Sequence, residues 1–367
     1  MIAIVLGTRA ELIKVFPVML ELKRRKMHYK FIHTGQHNLG KLTKTLGVKT
    51  PDVVITPPPK QATTKFWTRV SKALLWNLSI VSKIRATLRN IKNLDYVLYH
   101  GDTMSAASAA IASSSLLNPG KKYKNVHLEA GLRSGSDSEP FPEEISRKIC
   151  DKFSDILFAV SDVAEKNLRR EKQKGKIYNV GNTIVDSAVL AYNLAKKKKF
   201  KKPKGKYALA TIHRHENIKS KNRLLRIAKI LQKVPIKVIL PLHDNTYKKI
   251  CDFNILHEFC GIDIVKLKNY VEFIYLLKHC SLLLTDGGSV QEESLVFKKP
   301  CIILRKRTER VAGLETGINF LTKLDFEKAE VAIKKFSNPK WEMRKFKNPY
   351  GEKGVSKKIV NVLGKKK

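Results

Sequence analysis

Four carboxylates sit in short motifs that could move protons. Asp102 lies in His100-Gly101-Asp102-Thr103, Glu129 in His127-Leu128-Glu129-Ala130-Gly131, and Glu143 and Glu144 follow Pro142, with Arg133 and Arg147 close behind. Carboxylates crowded into one site raise the pKa of at least one of them, and a set so tuned can take a proton from carbon and return one. Glu143 and Arg147 are four apart, so a helix opened by Pro142 would set them on one face; an ordinary helix ion pair is the competing reading. A second group of motifs suits phosphate. Gly7-Thr8-Arg9-Ala10-Glu11-Leu12-Ile13-Lys14 offers backbone amides and two cations at the start of a helix. Thr211-Ile212-His213-Arg214-His215 places positive charge where a diphosphate or leaving oxygen could be met. Asp286-Gly287-Gly288-Ser289 lets backbone approach a ligand closely at a helix start, and Glu293, one turn on, could accept from ribose hydroxyls. His213 and His215 have no third ligand fixed by spacing, and Arg214 would oppose a cation, so no metal is expected. Neither a Walker loop nor a G-x-G-x-x-G fingerprint occurs, so ATP and NAD find little support.

These motifs need strands to present them. Apolar runs at Ile2–Leu6, Tyr29–His33, Tyr96–His100, Asn125–Leu128 and Ile156–Ala159 alternate with helical stretches, and a second series follows at Tyr207–Thr211, Ile236–Leu240, Asp263–Val265, Leu282–Thr285 and Cys301–Leu304. This is the β-α-β rhythm of parallel sheets, and two doubly wound α/β domains are the economical reading. Such sheets bind ligands beyond the carboxyl ends of their strands, and Gly7, Asp102, Glu129, His213 and Asp286 are all expected just past a strand. From Trp67 to Ile91, Val70, Leu74, Val81, Ile84, Leu88 and Ile91 follow helical spacing over a long basic helix. Packing on its own sheet, a dimer seam and a membrane-surface face are its three readings.

Composition sets the limits. In 367 residues, 72 Lys plus Arg against 32 Asp plus Glu leave a formal charge of +40. The basic residues are mostly dispersed lysines without an interleaved aromatic pattern, so no dedicated nucleic-acid role is expected. No stretch has the roughly 20 apolar residues of a bilayer span, membrane association is not expected, and the start does not read as a signal peptide, which points to the cytoplasm. Five cysteines without a C-x-x-C pair suggest reduced, mostly buried thiols.

In order along the chain, Gly7-Thr8-Arg9-x-Glu11-x-Ile13-Lys14, Gly35-Gln36-His37, Gly101-Asp102-Thr103, Glu129-Ala130-Gly131-Leu132-Arg133, Pro142-Glu143-Glu144-x-x-Arg147, Gly181-Asn182-Thr183, His213-Arg214-x-Glu216-Asn217, Gln291-Glu292-Glu293, Thr308-Glu309-Arg310 and Asn348-Pro349-Tyr350-Gly351 resemble the motifs of the non-hydrolysing UDP-N-acetylglucosamine 2-epimerase family. The resemblance covers nearly the whole chain. It implies two Rossmann-like domains in the glycosyltransferase B-type arrangement, with UDP-sugar in the interdomain cleft. The expected division is 1–180 plus a returning helix in 352–367, on the sugar side, and 181–351 on the UDP side. The resemblance further implies a homodimer, through the 67–91 helix if that helix is the seam, and an epimerisation at C2 without redox cofactor or metal. It implies catalytic roles for Asp102, Glu129, Glu143, Arg147 and His213. Arg9, Lys14, Arg133, Arg214, Gly287, Gly288, Ser289, Glu293 and Arg310 are the implied substrate contacts. Rivals are the same reaction on another UDP-sugar such as a 2,3-diacetamido uronic acid, a hydrolysing epimerase, a glycosyltransferase on the same fold, and a basic nucleic-acid- or membrane-binding protein without catalysis.

Overall fold

The computed structural model describes residues 1–56, 79–135, 142–338, 340–341, 343 and 345–365. The chain divides into two compact units, one of residues 1–187 with 351–367 and one of residues 188–350; the division falls within the helix Ile184–Lys197.

The first unit holds a seven-stranded parallel sheet. Its strands are β1 (Ile2–Leu6), β2 (Tyr29–His33), β3 (Val53–Val54), β4 (Tyr96–His100), β5 (Lys124–Ala130), β6 (Ile156–Ala159) and β7 (Lys176–Asn179), in the spatial order β3-β2-β1-β4-β5-β6-β7. β1 is buried along its whole length, as expected of a central strand covered by helices on both faces. The order reverses between β1 and β4, which is the topological switch point where such sheets bind ligands. The loops after these strands carry Gly7-Thr8-Arg9 and Gly101-Asp102. Helical residues 79–89 bury Ile80, Ile84 and Leu88 with Val5, Ile32, Val97 and Tyr99, and Val81 and Ile91 pack against the same cluster. The described part of the long amphipathic segment thus lies on its own sheet. Trp67, Val70 and Leu74 lie outside the described residues.

The second unit repeats the plan with β8 (Tyr207–Thr211), β9 (Lys237–Leu242), β10 (Ile262–Lys266), β11 (Leu282–Thr285), β12 (Cys301–Ile303) and β13 (Asn319–Leu321), all parallel, in the order β10-β9-β8-β11-β12-β13. Its switch point falls between β8 and β11, the strands that lead into His213 and Asp286. Both units are therefore Rossmann-like, and each places its candidate loops at its own switch point.

Two corrections to the sequence reading arise here, and the expectation for the cysteines holds. β3, β7 and β13 had no counterpart among the expected strands. Glu129 was expected beyond its strand but stands inside β5, where the register with β6 shifts between Leu128 and Ala130. The cysteines are all free thiols, with Cys150, Cys280 and Cys301 buried and Cys251 and Cys260 exposed.

Candidate functional site

In the first unit the loop after β1 is closed from within. Thr8 caps the helix Arg9–Arg24, accepting from Glu11 N, while Glu11 Oε2 accepts from Gly7 N at 2.9 Å and Thr8 N at 2.6 Å. Amides that the sequence offered to a ligand are thus taken by a side chain of the same helix. Glu11 Oε1 also accepts from Thr103 Oγ1 at 2.9 Å, tying the loop after β1 to the loop after β4. Burial raises the pKa of Glu11, against the pull of these hydrogen bonds. Gly7 is fixed by space, since a Cβ there would lie 2.1 Å from Ser105 Oγ and 2.5 Å from Thr34 Oγ1. Arg9 stays exposed and donates from Nε to Asn38 O.

Glu129 is the most constrained carboxylate. Its φ of +71° lies in the left-handed region, a conformation costing a non-glycine residue about 1–3 kcal/mol that clusters at functional sites. The kink turns its side chain to Lys14, with which it forms a buried ion pair, and to His100, whose Nε2 is 3.2 Å from Glu129 Oε2. Asp102, with a side chain 25% exposed, pairs with Arg147, and the same guanidinium donates to Glu144 at 2.6 Å. Glu143 opens the helix Glu143–Lys152 and is half-buried, whereas Glu144 is buried. Glu143 and Arg147 were expected to share one helix face; the partners of Arg147 include Glu144, one residue on, and Asp102. Arg133 reaches Asp151 and Glu171, and these two carboxylates raise its pKa although burial works the other way.

In the second unit Asp286 is fully buried and organises the loops after β8 and β11. It accepts from His213 N at 3.0 Å, Arg214 N at 3.0 Å and Asn217 Nδ2 at 3.1 Å. Gly287 caps the helix Gly288–Val296, and a Cβ on it would meet His213 Cε1 at 2.9 Å, so glycine lets the imidazole lie against the loop. A Cβ on Gly288 would meet Glu309 Oε1 at 2.9 Å. Ser289 is half-buried and Glu293 buried. Glu309, wholly buried, gathers Arg214 at 3.3 Å, Arg305 at 2.9 Å and Arg310; Arg310 also stands 3.6 Å from Glu292. Arg310 is thus itself buried, at 4% exposure.

A sequence model of the UDP-N-acetylglucosamine 2-epimerase family matches residues 20–364. The chain belongs to that family. The UDP-N-acetylglucosamine 2-epimerase of Methanocaldococcus jannaschii is 33% identical over 388 residues, covering 99% of this chain and 98% of that protein. The crystal structure of the Neisseria meningitidis UDP-GlcNAc 2-epimerase bound to UDP-GlcNAc matches with a TM-score of 0.83 at 28% identity, covering all of both chains. A 39% identity over 231 residues, 61% of this chain and 62% of the other, links it to the UDP-2,3-diacetamido-2,3-dideoxy-D-glucuronate 2-epimerase of Pseudomonas aeruginosa.

In this member of the UDP-N-acetylglucosamine 2-epimerase family, the residues brought together are Lys14, His100 and Glu129 in one group, Asp102, Glu144 and Arg147 in another, and His213, Arg214 and Asp286 in the second unit. Sequence reading missed Glu144 as the buried partner of Arg147, Asp286 and Glu309 as hubs, and Asp151. It also missed Tyr270, whose buried phenol has its pKa raised by burial and by the neighbouring Glu293. Among the described residues no group of His, Cys, Asp and Glu could hold a metal ion, and no helix is long and apolar enough to cross a membrane.

Three histidines of this family member, His100 and His37 in the first unit and His213 in the second, have pKa values below the ordinary one. Burial lowers His100 first, with Lys14 adding and Glu129 opposing; it also leads at His37, where Arg9 and His33 add. His213 keeps a side chain 45% exposed, yet the protein packed on its inner side, with Arg214 and His243, brings it down against Asp286 and Glu216. At these three rings the unfolded chain therefore binds more protons than the folded one once pH drops below about 6.5. The stability these neutral rings carry is whole above that pH and drains away as pH falls toward their folded values. Thermal melts should hold level from pH 8 to 7 and decline from 6.5 to 5, with a shallower decline in His100→Asn; an equal slope in that variant would remove His100 from the effect.

Proposed function

We propose that this protein is a non-hydrolysing epimerase that interconverts UDP-N-acetylglucosamine and UDP-N-acetylmannosamine, supplying surface polysaccharide or glycan synthesis. The observation that carries this reading is the strained, buried Glu129 between Lys14 and His100, with a second carboxylate, Asp102, on the neighbouring strand end of the same sheet. In the proposed reaction the C2–H and C1–O bonds break, a C1=C2 double bond forms, and UDP leaves with the electron pair on its β-phosphate oxygen. The resulting 2-acetamidoglucal takes UDP back at C1 and a proton at the opposite face of C2. The starting and final sugars have the same oxidation state, so no redox cofactor enters the balance.

Asp102, Glu129 and Glu143 are the proposed proton-transfer groups, with Arg147 supporting them. His213, Arg9, Lys14 and Arg214 are assigned to the charge that develops on departing UDP, the Gly287-Gly288-Ser289 amides to its phosphate and Glu293 to its ribose. Arg133 and Arg310 are proposed substrate contacts as well, each steadied by a buried carboxylate as Lys14 and Arg214 are. The first unit is thus given the sugar chemistry and the second the nucleotide. A homodimer and a cytoplasmic location belong to the same reading. The partial match to the diacetamido-glucuronate enzyme favours that UDP-sugar as the alternative substrate.

The test is proton NMR of the purified protein with UDP-N-acetylglucosamine in D2O. Appearance of UDP-N-acetylmannosamine deuterated at C2 supports the proposal. Free N-acetylmannosamine with UDP would instead mark the hydrolysing reaction, and turnover confined to the diacetamido uronic acid would move the assignment to that substrate.

A further inference from the structure

Asp151 takes no part in the roles assigned above, yet it sits at the junction of both carboxylate-bearing loops. It lies in the last turn of the helix Glu143–Lys152 with its side chain wholly buried. Oδ1 is 2.7 Å from His127 Nδ1, and Oδ2 is 2.7 Å from Arg133 Nη2. His127, equally buried, has its other ring nitrogen, Nε2, 2.9 Å from the carbonyl oxygen of Gly101. A carbonyl oxygen only accepts, so Nε2 must carry the proton that points to Gly101, and a second proton lies between Nδ1 and Oδ1. The Asp151–His127 pair therefore clamps the main chain immediately before Asp102, at a residue whose φ is +73°. One turn earlier on the same helix, Arg147 grips the Asp102 side chain. The other arm of Asp151 runs to Arg133, four residues after Glu129, and Arg133 is braced by Glu171 at 2.5 Å and by the Leu132 carbonyl at 2.7 Å.

We infer that Asp151 is a positioning residue that fixes the Asp102 turn and the Glu129 bulge relative to each other, through His127 on one oxygen and Arg133 on the other. The inference rests on the proposed epimerisation, because only a reaction that removes a proton from one face and returns it to the opposite face depends on that relative placement. Shifting one carboxylate against the other slows proton removal. It also lets the intermediate be reprotonated on the face it came from, which regenerates the starting sugar.

The experiment compares wild type with Asp151→Asn on UDP-N-acetylglucosamine in D2O and follows two products by NMR: starting epimer that has gained deuterium at C2, and deuterated product epimer. For Asp151→Asn, kcat should fall on the order of 10- to 100-fold, as expected for a small misplacement of reacting groups, with KM within about twofold. The ratio of starting epimer with deuterium to product epimer should rise at least about threefold. His127→Asn, which keeps an amide near the Nδ1 position but loses the reach to Gly101, should shift the ratio in the same direction, and it carries the test if Asp151→Asn does not fold. A structural role alone would lower the melting temperature and both products by one common factor, and an unchanged ratio in the folded variants overturns the inference. Absence of deuterium uptake and epimer formation in the wild type would instead sink the proposed reaction.

Discussion

Asp102→Asn and Glu129→Gln are each expected to lower the rate of epimerisation by about 10³-fold or more, while UDP affinity stays within a few fold. General acid–base groups contribute on the order of 10²–10⁴ to a rate, and an amide of the same shape can neither take the C2 proton nor return one. The two variants should differ in a second measurement. Asp102 is a quarter exposed, so neutralising it leaves Arg147 with Glu144 for company and a modest loss of stability. Glu129 is buried against Lys14, so Glu129→Gln strands an ammonium that is itself almost wholly inside, and about 3 kcal/mol of stability should go with it. Rates by NMR, UDP binding by calorimetry and thermal melts separate the effects. A near-normal rate in either variant removes that residue from proton transfer, and a large loss of UDP affinity would reassign it to binding.

Gly131→Ala is expected to be strongly damaging for so small a substitution, costing about 4 kcal/mol and roughly 10 °C of melting temperature. Two costs add at this position. Its φ is +83°, and a Cβ would sit 2.3 Å from the Ala164 carbonyl oxygen and 2.9 Å from Leu168 Cγ, the first of which is backbone and has little room to give. Asn167 donates to the Gly131 carbonyl at 3.0 Å, so any shift also strains the segment that follows Glu129. Gly120 is the control. It has a φ of +72° with nothing within 4 Å of its missing Cβ, so Gly120→Ala carries the conformational cost alone, about 1 kcal/mol. Equal losses in the two variants would mean that the crowding at Ala164 is relieved by local movement.

How much could be read from residue order depended on whether the determining contacts were local. The central strands were legible because burial on both faces demands unbroken runs such as Ile2-Ala3-Ile4-Val5-Leu6. The edge strands were not: β7 reads Lys-Ile-Tyr-Asn with its end residues exposed, and β3 is two residues long, leaving little pattern to detect. Within the site, Asp102, His213 and the Gly287-Gly288-Ser289 loop announced themselves because polar or glycine residues end apolar strands. Asp151 did not. In the helix Glu143–Lys152 it reads as one more solvated carboxylate, and its burial follows from His127 and Arg133, each reached only through the fold. The left-handed backbone at Glu129 was likewise invisible, since glutamate carries no preference for it and the bulge is set by the register of β5 on β6.

The helix Val355–Gly364 packs against Arg9–Arg24, and Asp186 accepts from the amides of Gly354 and Ser356 at 2.7 Å, so the first unit is built from both ends of the sequence. During synthesis the unit begun first is therefore finished last. While the second unit, whose segment is continuous, can close as soon as residues 188–350 have emerged, the apolar face of Arg9–Arg24 must wait for the helix Val355–Gly364, made over three hundred residues later. A nascent chain of this protein thus passes through a period in which its second unit is complete and its first still lacks a wall.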